Sequence, residues 1–257
     1  MDTCQTLVVN EQKILRFKSL KSTNLYLQQK LQEGDDIVNQ VVMTDYQTAG
    51  KGLDNNRWES EPGMNLLFSM ALDVSFLEAE NQFRISQAVP LGIINVLKKY
   101  LPKNSLYVKW PNDVYYSDKK IVGMLINNTL SNRMMDVSIV GIGVNVNQVK
   151  FGDDLPNPIS MKIITDSHYD LMPLLVEFID SIRQSVSLLK SSDGVKMVEE
   201  SYIRHLYRYG KKARYQYKGK IMTLMIVGFD KFGRLQLQDE MGKIITCDLK
   251  EIKFLMG

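Results

Sequence analysis

VKWPNDVYYSDKKIVGMLINN, Val108 to Asn128, is the stretch around which the rest of the chain is organised. Two short β-type runs, Leu106 to Trp110 and Val114 to Tyr116, flank a Pro-Asn-Asp corner. Ser117-Asp118-Lys119 then turns the chain into a third run beginning at Lys120. This pattern predicts a strand-rich ribbon with polar groups at its bends. Lys109 and Lys120 are compact, flexible cations suited to a phosphate or carboxylate, and Asn112 and Asp113 suit a polar ligand or a metal-bound phosphate. The same residues also suit an ordinary turn edged by solvated lysines, and spacing alone does not separate the two.

Working outward, the chain is long enough, at 257 residues, for one substantial core plus a small appended domain. Hydrophobic residues at 44% and charged residues at 24% are ordinary for a soluble globular protein. The net charge of +3 is compatible with an anionic ligand, and the lysines are scattered rather than gathered in a basic run, so nucleic acid is not required. Cys4 and Cys247 are far apart, which argues against a disulfide framework and fits a reducing, cytoplasmic setting. His168 and His205 lack the spacing of a zinc site. No run is long and apolar enough to span a membrane, and Met1 to Asn10 lacks the pattern of a signal peptide.

Upstream of the ribbon, residues 1 to 21 offer one or two short strands. Ser22 or Thr23 caps a helix running to about Glu33, stopped by Gly34. Val38 to Tyr46 reads as a strand, and Gln47 to Arg57 as a polar loop whose Gly50-Lys51-Gly52 can bring backbone N–H groups and one cation to an anion. Such loops are also plain connectors. Trp58 follows, able to stack on a base or to anchor the loop. Asn65 to Leu72 reads as a strand, and Asn81 to Leu101 as an amphipathic helix that Pro90 would kink or restart. Downstream, Met134 to Asn147 reads as a buried strand. Its Gly141-x-Gly143 is not followed by a helix, which argues against a dinucleotide fold. Two helices follow, about Met172 to Lys190 and Gly194 to Tyr209. Short β runs then occupy Ala213 to Tyr217, Ile221 to Phe229, Leu235 to Leu237 and Ile244 to Cys247.

KWPND followed by DKKIVGMLIN resembles the central signature of biotin protein ligases. Three further stretches agree in order: STN at Ser22 to Asn24, TDYQTAGKG at Thr44 to Gly52 with RWES and NLLFSM after it, and VGIGVNVN at Val140 to Asn147. Together they cover most of residues 15 to 150. The resemblance implies adenylation of biotin by ATP with Mg2+, then transfer to a lysine of a biotin carboxyl carrier protein. It implies Lys120 and Lys51 as catalytic cations. Biotin would meet Ser22, Thr23, Asn24, Gln47, Gly50, Lys51, Gly52, Leu53, Lys120, Gly123, Gly141 and Gly143. ATP would meet Lys51, Trp58, Lys109, Asn112, Asp113, Lys120 and Asn145. No metal site built from protein alone is expected, Mg2+ arriving with ATP near Asp113.

The family loop carries arginine on both sides of its second glycine, whereas this chain has Lys51 and Leu53. Lysine keeps the charge without the bidentate fork, and leucine keeps neither. The loop is therefore expected to hold the adenylate less firmly. Leu53→Arg should slow escape of the intermediate in a chase experiment, and an unchanged escape rate would refute this.

The expected fold is α+β. A mixed, mainly antiparallel sheet flanked by helices (a class II synthetase-like, biotin-lipoate ligase fold) occupies residues 1 to 209, with its helices on one side. A small C-terminal SH3-like β-barrel occupies residues 210 to 257. The segment before Ser22 is too short for a winged helix-turn-helix, so DNA is not an expected partner, nor is a membrane, while a homodimer is left open. The nearest alternative is a lipoate ligase or octanoyl transferase of the same fold. A nucleic-acid or peptide-binding module built on the C-terminal barrel is an alternative of another class.

Overall fold

A computed structural model describes residues 4–9, 12–53, 56–102, 105–153 and 155–255, so part of the segment read for a signal peptide lies outside it. The ribbon is as expected: β5 (Leu106–Lys109), β6 (Asp113–Tyr116) and β7 (Lys119–Ser131) pair antiparallel in sequence, with Lys109 opposite Asp113 and Tyr116 opposite Lys119. Ser117 takes the left-handed conformation at the tight turn, and the Trp110–Pro111 peptide is cis.

The ribbon forms one end of an eight-stranded sheet ordered β1-β2-β3-β4-β8-β7-β6-β5. The other strands are β1 (Gln5–Val9), β2 (Gln12–Phe17), β3 (Val41–Thr44), β4 (Leu66–Asp73) and β8 (Met134–Val144). Only β2 and β3 run parallel, because helix α1 (Thr23–Gln32) crosses between them. Its ends follow the sequence signals: Ser22 is the N-cap, and Gly34 adopts φ +86° just past the last turn.

The sheet buries both faces, which corrects the expectation of helices on one side only. Leu66, Phe68, Met70 and Leu72 of β4, with Val140, Ile142 and Val144 of β8, pack beneath α2 (Phe83–Tyr100), α4 (Leu171–Ser187) and α5 (Ser192–His205). On the other face Phe17, Val42, Ala71, Val137 and Ile139 form a second cluster with Leu27 of α1. The cause is legible in the near-continuous apolar run of β4, seven of whose eight residues are buried. A short helix α3 (Met161–Thr165), not anticipated from the sequence, follows the loop after β8.

Helix α2 continues through Pro90 without a break, sacrificing one bond to the Ser86 carbonyl where both sides of the helix are buried. At Gly92 it meets α4 backbone to backbone: a Cβ there would lie 2.7 Å from Ile182 Cα and 2.8 Å from the Ser181 carbonyl oxygen. Gly92→Ala should therefore lower stability by about 1–2 kcal/mol despite the better helix propensity of alanine. Urea unfolding checks this, and a gain in stability would refute the close packing.

The C-terminal strands are β9 (Lys212–Tyr217), β10 (Lys220–Phe229), β11 (Leu235–Gln238), β12 (Ile244–Cys247) and β13 (Ile252–Phe254). Lys218 and Gly219 both take positive φ, as a two-residue hairpin turn requires. The strand order is β12-β11-β10-β9-β13, so this is an open antiparallel sheet, and β12 and β13 do not pair to close the expected barrel. A single 3-10 turn, Leu249–Glu251, carries the chain across with a capping box from Asp248 and Glu251. The sheet is tied to the ribbon by Trp110, whose Nε1–H donates to the Gly233 carbonyl at 3.0 Å, and the turn leading from α5 toward the sheet is held there by Tyr207, whose backbone N–H donates to the Val108 carbonyl at 2.9 Å.

Candidate functional site

Strand alternation puts Gly123 of β7 and Gly141 and Gly143 of β8 on the face that carries α1, just beyond the apolar area the helix covers. The glycines and the start of α1 enclose a cavity of about 160 Å³. Its wall is an interlocked polar set. The Thr23 backbone N–H donates to Gln47 Oε1 at 2.9 Å, and the Thr23 hydroxyl lies 2.8 Å from the Ser69 hydroxyl. The Asn24 amide donates to the Leu125 carbonyl at 3.1 Å. Ser22, Thr23 and Asn24 are all buried, so they serve as the helix start and as a cavity wall together.

Trp58 lies on this floor. A Cβ at Gly143 would sit 2.3 Å from its ring and one at Gly123 would sit 2.6 Å away, so only glycine admits the indole. The Trp58 Nε1–H is buried with no hydrogen-bond partner, a cost that a ligand or a rearranged loop would remove. The loop is pinned at its base: the Trp58 backbone N–H donates to the Gly50 carbonyl at 3.1 Å, and Gly52 N–H to the Asn56 carbonyl at 2.7 Å. Lys51, Gly52 and Leu53 face the cavity, while Gly50 lies behind it on the outer side of the loop.

Trp58 also walls a second cavity of about 700 Å³, and the two share Asn56, Arg57, Asp113 and Lys120. Lys120 Nζ stands at this junction, 2.7 Å from Asp113 Oδ1 and 5.6 Å from the Trp58 ring. This ion contact holds the Asp113 carboxylate, whose side chain is 15% exposed, against the Lys120 ammonium at the junction. Among the described residues no three His, Cys, Asp or Glu side chains gather as a metal cluster.

Lys109 and Asn145 line the second cavity. The Lys109 ammonium lies 3.0 Å from the Tyr115 hydroxyl, and burial draws its pKa below the ordinary lysine value, against the opposing charge of Asp113. Burial likewise pushes the Tyr115 phenol up, keeping it neutral as it accepts from the Lys109 ammonium. The Asn145 amide donates to the Ile159 carbonyl at 3.1 Å, and its backbone N–H to the Ile121 carbonyl at 3.0 Å, so it braces the strand carrying Lys120. Asn112, expected beside the nucleotide, lines the first cavity instead and donates to the Met124 carbonyl. That amide bond holds the Pro-Asn-Asp corner onto β7.

The structure thus brings Lys120, Asp113 and Trp58 between two cavities that hold every expected site residue except Gly50. It adds Arg57, Leu125, Tyr115 and Phe254, which the sequence reading did not select. Arg57 had a signal, its place beside Trp58. Phe254 had none, lying more than a hundred residues from the ribbon.

Known proteins resemble this chain in part of its sequence and in its fold. Biotin--protein ligase 1 of Arabidopsis thaliana is 37% identical over 112 residues, 42% of this chain and 30% of that protein. Bifunctional ligase/repressor BirA of Salmonella typhimurium is 33% identical over 143 residues, 54% of this chain and 42% of that protein. The aligned stretch thus spans less than half the length of either relative. The structure of a biotin protein ligase from Aquifex aeolicus in complex with biotin and ATP shares the fold, with a TM-score of 0.76 and 24% identity, covering 95% of this chain and 99% of that one. The profile of the Biotin/lipoate A/B protein ligase family matches residues 16–145, just over half of the sequence, and takes in every residue that lines the first cavity. This chain is a member of that family.

Proposed function

We propose that this chain activates biotin with ATP, giving biotinyl-5′-AMP and pyrophosphate, and then transfers biotin to a lysine of a biotin carboxyl carrier protein. The observation that carries the proposal is Lys120, an ammonium held where two cavities meet. The glycine-floored cavity is suited to the flat bicyclic end of biotin, with Ser22, Thr23, Asn24 and Gln47 supplying donors and acceptors to a ureido group. The larger cavity is suited to a nucleotide.

The first step brings two anions together: a biotin carboxylate oxygen forms a bond to the α-phosphorus as the bond to pyrophosphate breaks. Lys120 bridges both groups and offsets the charge that spreads over the phosphoryl oxygens, with Lys51 sharing the load and Lys109 positioning the phosphates. An incoming carboxylate competes with Asp113 for Lys120. Asp113, released from Lys120, would then face a cation. That fits Mg2+, which is ordinarily held by one or two carboxylates together with substrate phosphates and would neutralise phosphate charge. In the second step the carrier amine attacks the acyl carbon and AMP leaves, with no covalent enzyme intermediate.

The family includes lipoate-handling ligases by its name, and the relatives named biotin ligases favour biotin. We place the division between catalytic and C-terminal domains at 209/210, where helix α5 and its exit turn give way to β9. The two cysteines, one exposed and one buried, are both free thiols, in keeping with a cytoplasmic setting. No helix among the described residues is long and apolar enough to cross a membrane.

Purified chain with ATP and Mg2+ should release pyrophosphate with biotin and not with lipoate or octanoate. Release with lipoate instead moves the substrate within the family, and release with no acid refutes the adenylation step. The Trp58 ring lies over Gly123 and Gly143, on the floor proposed for the bicyclic end of biotin, so it is expected to move when biotin binds. Biotin should therefore change tryptophan emission, and Trp58→Phe should abolish that change. An unaltered response in the variant would place the movement at Trp110, the other tryptophan.

A further inference from the structure

We propose that Phe254, on the last strand of the C-terminal sheet, is a positioning residue for Lys109, so that this sheet supplies a working wall of the nucleotide cavity. The inference rests on reading that cavity as the ATP site. Lys109 projects from β5 with its ammonium 4.9 Å from the Tyr115 ring centroid and 5.2 Å from that of Phe254. One ring belongs to the ribbon and the other to a strand about 145 residues later in the chain. Asp113 sits opposite Lys109 in the strand register, but its carboxylate is taken by Lys120 at 2.7 Å. Among the described residues Lys109 has no carboxylate within ion-pair distance, so the aromatic faces and the Tyr115 hydroxyl are what hold it.

Phe254 is itself fixed from both sides. Tyr215 meets it edge-on at 5.1 Å, and Tyr207 stacks beside it at 6.3 Å. Strand β13 sets Phe254 opposite Tyr215 in register. The next residue, Leu255, accepts a hydrogen bond from Arg208 at 2.8 Å through its carbonyl. The Tyr207 hydroxyl in turn bonds Asp118 in the turn between β6 and β7. The aromatic ring that holds Lys109 is thus anchored to the same turn that leads into Lys120. Two catalytic-site lysines are set by one cluster, and half of that cluster comes from the C-terminal sheet.

A lysine held by ring faces keeps its charge available: unlike a salt-bridged lysine, it need not break an ion pair before meeting a phosphate. Loss of the Phe254 ring frees the four-carbon stem to rotate and weakens nucleotide capture before it weakens chemistry. The charges that act on the Lys109 ammonium are those of Asp113, Lys120 and Arg208, and although Lys253 of β13 lines the same cavity, Phe254 itself brings no charge. The effect of Phe254 should accordingly be one of orientation.

The test uses the full chain carrying Phe254→Leu, which keeps the apolar bulk, and Phe254→Tyr, which keeps the ring. Met241→Ala, at an exposed turn of the same sheet, serves as control. Displacement of a fluorescent ATP analogue by ATP and Mg2+ should show affinity about five- to tenfold weaker in Phe254→Leu, the size expected for one partly desolvated cation–π contact. Phe254→Tyr should restore it. In pyrophosphate release the loss should appear in KM for ATP, with kcat and KM for biotin within twofold. In a Lys109→Met background, Phe254→Leu should add less than twofold. Equal loss in both backgrounds, or affinity within twofold in Phe254→Leu, overturns the assignment, as does failure of the wild-type chain to bind ATP. ATP binding without pyrophosphate release from any acid would instead count against the adenylation reading alone, and the binding comparison would still decide the role of Phe254.

Discussion

Lys120→Ala should lower pyrophosphate release from biotin and ATP by about 100- to 1,000-fold, the loss typical when one preorganised group is removed from a developing oxyanion. Lys120 sits where the carboxylate and the α-phosphate must meet, and its contribution grows as charge spreads in the transition state. The loss should therefore fall on kcat more than on the affinity for either substrate. The variant should fold: the Lys120 side chain is 29% exposed, and the backbone bonds of this segment, Lys120 N–H to the Asn157 carbonyl at 2.8 Å and Ile159 N–H to the Lys120 carbonyl at 2.9 Å, do not involve the ammonium. Removing it also strips Asp113 of its partner, so some stability loss is expected from an uncompensated, mostly buried carboxylate. Single-turnover adenylation, run beside a melting curve, separates the two effects. Unchanged adenylation kinetics would remove Lys120 from the mechanism.

Gly143→Val should abolish biotin binding at ordinary concentrations, with affinity falling by more than about 100-fold, near 3 kcal/mol. Position 143 lies near the end of β8 but is paired on both sides, opposite Leu67 on one and Gly123 on the other. A valine suits a strand backbone there, so the sheet should persist. Its side chain, however, would fill the cavity floor, where even a Cβ comes within 2.3 Å of the Trp58 ring. Trp58 is on a loop and can withdraw, whereas a ligand that needs the floor has no other surface of that shape. Calorimetric titration with biotin checks the affinity, and thermal unfolding checks the sheet. Binding within threefold of the unsubstituted chain would show that the ligand does not use the glycine floor.

Local chemistry made much of this molecule legible from its residues. The ribbon from Leu106 to Ser131 could be read because its turns are set by neighbouring residues: Pro111-Asn112-Asp113 at one bend and Ser117-Asp118 at the next. The cap at Ser22 and the stop at Gly34 were legible for the same reason. The ordered stretches STN, TDYQTAGKG, KWPND and VGIGVNVN also named much of the first cavity's lining, but of the second cavity only Lys109 to Pro111, Asp113 and Asn145.

Sequence by itself did not determine which residue faces which cavity, because that depends on pairing between strands distant in the chain. Gly123 and Gly143 become one floor only through the register of β7 and β8, and Trp58 reaches that floor only through the folded loop. Asn112 turns to the first cavity because its amide finds the Met124 carbonyl. The second covered face of the sheet and the open C-terminal strand order are likewise matters of packing and long-range pairing. Phe254 beside Lys109 is the extreme case: the contact depends on docking one sheet against another, and the intervening sequence carries no periodic or motif signal of it. Turns, caps and motifs are written in neighbouring residues, whereas a cavity is the space left when remote surfaces meet, and only the tertiary structure fixes that space.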